Sequence, residues 1–164
     1  MGLGSALTDM IGTERDLFVQ RLREFYHLER ELEDLQTELA EAATDEELES
    51  FYMAHSETTT EQLGRIEPLF DAVEAEPGVV ESDVLDTLTS EREDLIADVQ
   101  DPALGDLVEA ELGRTIERLE ITKLETLLAL ADRMALPNEI VEPLEQTKTE
   151  ATNGLERITE LTEI

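Results

Sequence analysis

The chain has 164 residues, no cysteine, and 42 acidic against 12 basic side chains, which give it a formal charge of -30. The lack of cysteine excludes disulfides, thiolate metal sites and a cysteine nucleophile. The acidic surface would repel phosphate backbones and anionic membranes, so neither nucleic acid nor a membrane is an expected partner.

The first two predicted helices form a hairpin. The first covers residues 13–42, and Thr13 and Asp16 at its start resemble a capping box. Thr44 and Glu47 repeat this pattern and predict the start of the second helix after a turn of two or three residues. Helices joined by so short a turn pack antiparallel.

A crossover follows the first hairpin. Residues 76–78, Glu-Pro-Gly, break the second helix, and Ser82 is predicted to cap a shorter helix. Asp101 and Pro102 suit the N-cap and first position of the next long helix, which is predicted to continue to about Ala135.

A last helix is predicted over residues 138–161. Two antiparallel hairpins joined by a long crossover predict an all-α fold, a ferritin-like four-helix bundle with a short extra helix between the hairpins. We expect a single domain over residues 1–164, in which residues 1–12 are loosely ordered.

Each helix has a stripe of inward positions with three- and four-residue spacing. The first contains Phe18, Leu22, Phe25, Glu29, Leu32, Gln36 and Leu39. The second contains Leu48, Phe51, Tyr52, His55, Thr59, Gln62, Ile66, Leu69 and Val73. The crossover helix offers Val84, Leu85, Leu88, Leu95, Ile96 and Val99. The next long helix offers Ala110, Glu117, Glu120, Ile121, Leu124, Leu128, Ala131 and Ala135. The last offers Ile140, Val141, Leu144, Thr147, Ala151, Leu155, Ile158 and Leu161.

Four polar residues in these stripes are candidate metal ligands: Glu29, His55, Glu117 and Glu120. Burying a lone carboxylate costs several kcal/mol, so such a group is normally partnered, metal-bound or protonated. Counting from the turn after the first helix places Glu29 at about the height of His55. Carboxylates with an imidazole suit a divalent cation such as iron, manganese or zinc.

Each of these residues also has an ordinary structural interpretation. The glutamates can pair with Arg30, Arg114 or Arg118 or lie at the margin of a stripe, and His55 can be a hydrogen-bonded core residue. The bundle would then be purely structural or partner-binding, with inward acids that only fix helix register.

The literal Glu-x-x-His match at Glu24 and His27 faces away from the first stripe and is not predicted to form a site. Neither a phosphate loop nor an activated serine is recognisable, so no catalytic residue and no organic cofactor site is predicted.

The cellular setting follows from charge and hydropathy. Lys123 and Lys148 are the only lysines, and a lysine-poor, acid-rich surface is typical of proteins in multimolar salt, where the Debye length falls to about 3 Å. No apolar run is long enough to span a bilayer, and the first residues lack a signal-peptide pattern. We expect a cytoplasmic protein of a halophile.

Three motifs resemble one family. Residues 25–29, Phe-Tyr-His-Leu-Glu, are similar to its aromatic-Tyr-x-x-Glu signature, and Glu117-x-x-Glu120-Ile121 matches a further motif. The second helix is also similar at Leu48, Phe51, His55, Glu57, Thr59, Gln62, Arg65, Ile66 and Glu67. On these residues the chain resembles the YciE/YciF group, ferritin-like domains associated with bacterial and archaeal stress responses.

The resemblance implies a rubrerythrin-like bundle, usually dimeric, with a two-metal site built from carboxylates of all four long helices. Glu29, His55, Glu117 and Glu120 match this pattern. Thr58 stands where a carboxylate is expected, and the inward face of the last helix offers no acid.

We therefore predict a homodimeric, stress-associated protein with a reduced site, which binds at most about one iron or manganese ion weakly, or no metal. A complete di-iron ferroxidase or peroxide-consuming enzyme is the alternative.

Overall fold

Five helices account for most of residues 10–162, which are the residues that this computed structural model describes. They are α1 (Glu14–Ala42), α2 (Glu46–Ala72), α3 (Val84–Asp98), α4 (Pro102–Arg133) and α5 (Asn138–Thr162). This part of the chain contains no strand, so the all-α prediction is confirmed. Most of the predicted loose segment, residues 1–9, lies outside the described residues, and residues 10–12 have no regular secondary structure.

The four long helices form two hairpins, α1 with α2 and α4 with α5. The hairpins pack on each other because α1 also contacts α4 and α2 also contacts α5. The short helix α3 contacts α4 and connects the hairpins. This arrangement is the predicted ferritin-like bundle with a crossover helix. Among the described helices, none is long and apolar enough to cross a bilayer.

The predicted stripes of α1 and α2 are buried throughout, including every inward position from Phe18 to Leu39 and from Leu48 to Val73. Their apolar residues join α4 and α5 in two clusters at opposite ends of the bundle. The first end cluster includes Phe18, Phe25, Phe70, Leu124 and Leu144. The second end cluster includes Leu32, Leu39, Tyr52, Ile116 and Ile158.

The stripe of α4 differs from the prediction. Ile121 and Leu128 are half-buried and Ala135 is exposed, whereas Leu127 and Leu130 are buried. The reason is that α4 contacts three helices, α1, α3 and α5, so its buried face is wider than one narrow stripe.

The starts of α1 and α4 follow their sequence signals. The hydroxyl oxygen of Thr13 accepts a hydrogen bond from the backbone N–H of Asp16. The carboxylate of Asp101 accepts one from the N–H of Ala103. Each bond satisfies one of the free N–H groups at a helix start, and Pro102 has no N–H to satisfy.

The cap of α2 was predicted one residue too early. Asp45, rather than Thr44, caps α2, because the carboxylate of Asp106 on α4 accepts hydrogen bonds from the Thr44 hydroxyl and backbone N–H. At the start of α3, Asp83 directly precedes the helix but makes no capping hydrogen bond with its side chain, whereas the hydroxyl of the predicted Ser82 accepts one from the N–H of Val84 at 3.5 Å.

The crossover helix α3 is only lightly attached to the bundle. Leu85 is its single fully buried residue, while Val84 and Leu95, predicted to face inward, are 45% and 48% exposed. Arg92 makes a forked ion pair with the buried Glu109 of α4. Because α3 packs on the outside of α4, part of its apolar face stays at the surface.

Candidate metal centre

The four predicted ligands are buried near the middle of the bundle. Glu29, Glu117, Glu120 and His55 are 0%, 2%, 1% and 6% exposed. Helical spacing places each of them in an otherwise apolar stripe, on α1, α4 and α2. Within residues 10–162, no ion pair joins any of the three glutamates to an arginine. The alternative prediction that arginines neutralise these glutamates is therefore wrong for this part of the chain.

The imidazole of His55 joins α2 to α4. Its Nε2 makes an ion-pair contact with Oε1 of Glu117, and its ring stacks on Phe51 with 5.3 Å between ring centroids. Burial alone would lower the pKa of His55. The hydrogen bond and charge of Glu117, with smaller contributions from Glu29 and Glu150, outweigh burial and raise this pKa.

Glu29 and Glu120 form a second pair, between α1 and α4. Burial, above all, raises the pKa of Glu29 to about 7, although a hydrogen bond with Glu120 opposes the rise. Burial and the negative charges of Glu29 and Glu117 raise the pKa of Glu120 well above its ordinary value. Two carboxyls can share a hydrogen bond only if one keeps its proton, so the raised pKa values of both groups favour a shared proton that a bound cation would replace.

Several oxygens at this site have no hydrogen-bond donor. Apart from a proton that Glu29 and Glu120 can share, both oxygens of Glu29, Oε2 of Glu117 and Oε1 of Glu120 are buried and find no donor among the described residues. A buried carboxylate without a partner is costly, and a bound cation would satisfy the oxygens of Glu117 and Glu120. These unpartnered oxygens are the structural reason to consider a metal.

The donor geometry also fits one ion. One ligand atom from each of His55, Glu117 and Glu120 lies within 4.8 Å of the others. Donors bound to the same ion at about 2.1 Å are at most about 4.2 Å apart, so a small side-chain adjustment closes the site. Carboxylates with an imidazole suit a divalent transition metal. Glu29 lies outside this group of three, beside Glu120.

The prediction that Glu29 lies at the height of His55 was wrong. Gln36 accepts a hydrogen bond from Thr59, and Tyr26 packs edge-on against Phe70. These two pairs set the register of α1 against α2 and place Glu29 opposite residues 66–67. The site therefore has two layers, which we call the histidine layer (His55 and Glu117) and the carboxyl layer (Glu29 and Glu120).

A further carboxylate comes from α5, which was predicted to offer no acid. Thr147 and Ala151 are buried as predicted, but Glu150 lies partly buried next to them. Its carboxylate accepts a hydrogen bond from Gln62 at 3.0 Å and two from Arg65 at 2.8 and 3.0 Å. Partial burial alone would raise the pKa of Glu150, but the bonds from Arg65 and Gln62 outweigh it and lower this pKa.

Gly154 of α5 closes the histidine layer. A β-carbon at this position would lie 3.0 Å from Cε1 of His55 and 3.2 Å from Cδ of Glu117. The prediction placed Leu155 inward instead, but Leu155 is half-buried. A glycine inside a helical stripe was the available signal, since glycine in a helix is unfavourable without a packing reason.

The Glu24-x-x-His27 match forms no site. Glu24 pairs with Lys123 and Arg21 at the edge of the bundle, and Nε2 of His27 lies 2.8 Å from the carbonyl oxygen of Gly78. These partners agree with the prediction that both residues face away from the centre.

Residues 13–164 match a family described as a domain of unknown function, DUF892. No protein of curated function matches the sequence.

Solved structures show the same fold. YcfI of Rhodopseudomonas palustris, described as a putative structural protein, is 24% identical over 94% of this chain and 96% of its own, with a TM-score of 0.87. The Escherichia coli stress protein YciF is 23% identical over 92% and 95%, with a TM-score of 0.85. A protein of Xanthomonas campestris is 19% identical over 90% of both chains, with a TM-score of 0.73. The predicted likeness to the YciE/YciF group is confirmed.

Proposed function

The chain belongs to the DUF892 family, and from this premise we propose that it is a stress-associated, ferritin-like protein with a reduced metal site. The site holds at most about one divalent ion, iron or manganese, bound weakly by His55, Glu117 and Glu120, with Glu29 beside them. The observation that carries the proposal is the set of buried carboxylate oxygens without donors next to an imidazole. The likeness to a stress protein of Escherichia coli supports the stress association.

Each residue has a distinct task in this proposal. Nε2 of His55 supplies a neutral nitrogen, and Glu117 and Glu120 supply anionic oxygens. A bound iron or manganese ion would contribute Lewis acidity and redox chemistry. Binding must separate His55 from Glu117 and displace the proton that Glu29 shares with Glu120, so affinity is low and falls further in acid.

We do not propose an efficient di-iron oxidase, because the site lacks free carboxylate ligands for a second iron ion. Glu150 is engaged by Arg65. At the position where the family pattern expects a carboxylate, the hydroxyl of Thr58 donates to the carbonyl oxygen of Ala54. Ferritin-like two-metal centres need free carboxylates on both sides.

A purely structural or partner-binding bundle is the second candidate, because the site can satisfy itself without an ion. His55 already contacts Glu117, and Glu29 can share a proton with Glu120. The Rhodopseudomonas palustris relative is described as a putative structural protein, which supports this reading.

The setting that we propose is a salt-rich cytoplasm, with the protein as a homodimer. Its formal charge of -30 supports the salt-rich cytoplasm. Apolar side chains are exposed on α3 and at the start of α4, such as Leu95 and Leu104. They support the homodimer, because a partner copy would cover them. Sedimentation in concentrated potassium chloride would show a single monomeric species if the dimer is wrong.

Metal stoichiometry tests the function. The chelator-treated protein, incubated without oxygen with manganese(II), zinc(II) or iron(II) in multimolar potassium chloride, should bind about one ion per chain by mass spectrometry of the metal. An ion at a hundred times its Kd should add about 2.7 kcal/mol to the free energy of unfolding.

Variants identify the site. Glu117→Gln and Glu120→Gln should lose the ion, whereas Glu57→Gln, on the exposed face of α2, should retain it. Two tightly bound ions with fast iron oxidation would contradict the reduced site. Absence of binding would favour the structural bundle.

A further inference from the structure

Arg65 directs its positive charge into the bundle. Its guanidinium donates two hydrogen bonds to Glu150, at 2.8 and 3.0 Å, and one to the hydroxyl of Thr147 at 3.1 Å. Thr147 is fully buried, while the side chains of Arg65 and Glu150 are 17% and 25% exposed. The guanidinium therefore enters the interior from the gap between α2 and α5.

The carboxylate that Arg65 engages lies close to the candidate metal centre. Gln62 is fully buried, donates to Oε1 of Glu150, and lies one helical turn before the α2 residues that face Glu29. Oε1 of Gln62 itself is buried and has no donor among residues 10–162. The charge of Glu150 acts on both Glu29 and His55. Glu150 and Gln62 thus extend the carboxyl layer toward α5.

The negative charge of the buried and partly buried glutamates limits how many cations the interior can hold. Glu29, Glu117, Glu120 and Glu150 carry up to four negative charges. A divalent ion and the guanidinium of Arg65 together offset three of them, whereas two divalent ions would offset all four. Arg65 and a second ion would compete for the same negative charge, since two cations at short range repel strongly at low dielectric.

We propose that Arg65 is a resident cation that takes the place of a second metal ion and thereby limits the bundle to one. This inference rests on the proposed one-ion site and names the residue that sets its capacity. Without the guanidinium, Glu150 and Oε1 of Gln62 become free to join Glu29 and Glu120 around a second ion. Carboxylate and amide oxygens are suitable ligands for manganese.

The simpler view is that Arg65 and Glu150 form an ordinary half-buried ion pair. Loss of the pair would then lower stability without any change in the number of bound ions. The two views differ in stoichiometry, so ion counting separates them.

The decisive experiment counts manganese(II) ions bound per chain in the wild type and in Arg65→Gln, after gel filtration in concentrated potassium chloride. The wild type should bind one ion and Arg65→Gln two. Arg65→Lys, which keeps the charge, should bind one, and the double variant Arg65→Gln/Glu150→Gln should return to one. Helix content and a cooperative melt show that each variant is folded.

The outcomes distinguish this inference from the proposed function. One ion in both the wild type and folded Arg65→Gln overturns the role of Arg65 and leaves the one-ion site intact. An absence of bound ions from the wild type overturns the proposed function and this inference with it, as do two ions in the wild type.

A second variant tests the inference if Arg65→Gln does not fold. Glu150→Gln leaves the guanidinium without its partner beside the site, so the single ion should bind about tenfold more weakly. An unchanged Kd for manganese(II) in folded Glu150→Gln would then overturn the proposal.

Discussion

The apolar ends of the bundle and its polar middle are built from the same helices but do different work. At the ends, Phe18 and Leu144 in one cluster and Leu32 and Ile158 in the other are fully buried against apolar neighbours. In the middle, the same stripes carry acids such as Glu117, whose Oε2 has no donor among residues 10–162. Burial of apolar side chains stabilises the ends, whereas burial of acids destabilises the middle. Stability and metal binding should therefore be separable by mutation.

The largest effect should come from an apolar end. Leu144→Ala removes a fully buried side chain from the first end cluster and should lower the free energy of unfolding by about 2 to 5 kcal/mol. Chemical denaturation of the metal-free protein measures this loss. The additional stabilisation by manganese(II) should be the same as in the wild type. A loss of metal-dependent stabilisation in this variant would show that end and middle are coupled.

The next effect is a pH dependence that originates in the middle. The pKa of Glu29 is raised from its ordinary 4.5 to about 7, so between these values the folded state holds a proton that the unfolded state has released. Stability from this group is fully present below about pH 4.5 and is lost as pH rises through about 7. The loss is about 3 kcal/mol in the metal-free protein.

The matched variant for this pH dependence is Glu29→Gln. It should remove the fall in stability with rising pH that belongs to Glu29. The comparison also cancels the opposite trend from Glu24 and Glu150, whose pKa values are lowered. Parallel stability curves of wild type and variant from acid to neutral pH would refute a raised pKa at this residue.

The smallest effect on stability, but not on binding, should come from the glycine that closes the histidine layer. Alanine is better than glycine in a helix by about 0.8 to 1 kcal/mol, yet a β-carbon at Gly154 would crowd His55 and Glu117. Gly154→Ala should therefore change stability by less than about 1 kcal/mol and weaken metal binding.

Gly64 on α2 is the matched control, because a β-carbon there meets none of the described residues within 4 Å. Gly64→Ala should raise the free energy of unfolding by the full helix preference of alanine over glycine. It should leave the Kd for manganese(II) unchanged. Equal metal affinity in the two variants would show that α5 does not restrict the site at Gly154.

Much of the fold could be predicted because its signals are local. Three- and four-residue spacing alone placed Phe18, Leu22 and Phe25 in the core, and Thr13 and Asp101 marked helix starts through bonds to residues two or three positions away. The same local logic identified Glu29, Glu117 and Glu120, since an acid within an apolar stripe is visible from the sequence.

The parts that were wrong depend on distant partners. Thr44 lost its capping role to a bond with Asp106, and Glu150 is drawn inward by Arg65, 85 positions earlier. The relative height of Glu29 and His55 depends on how α1 slides along α2, which turn length does not determine.

The light attachment of α3 has a consequence for how the molecule is divided. Each hairpin carries its own share of the two polar layers, with Glu29 and His55 from the first and Glu117 and Glu120 from the second. A backbone cleavage in the exposed stretch near Gln100 would remove none of these side chains and would interrupt neither hairpin. Such a cleavage would yield two fragments, each an intact helical hairpin. The complete set of candidate ligands would form only when the two fragments associate.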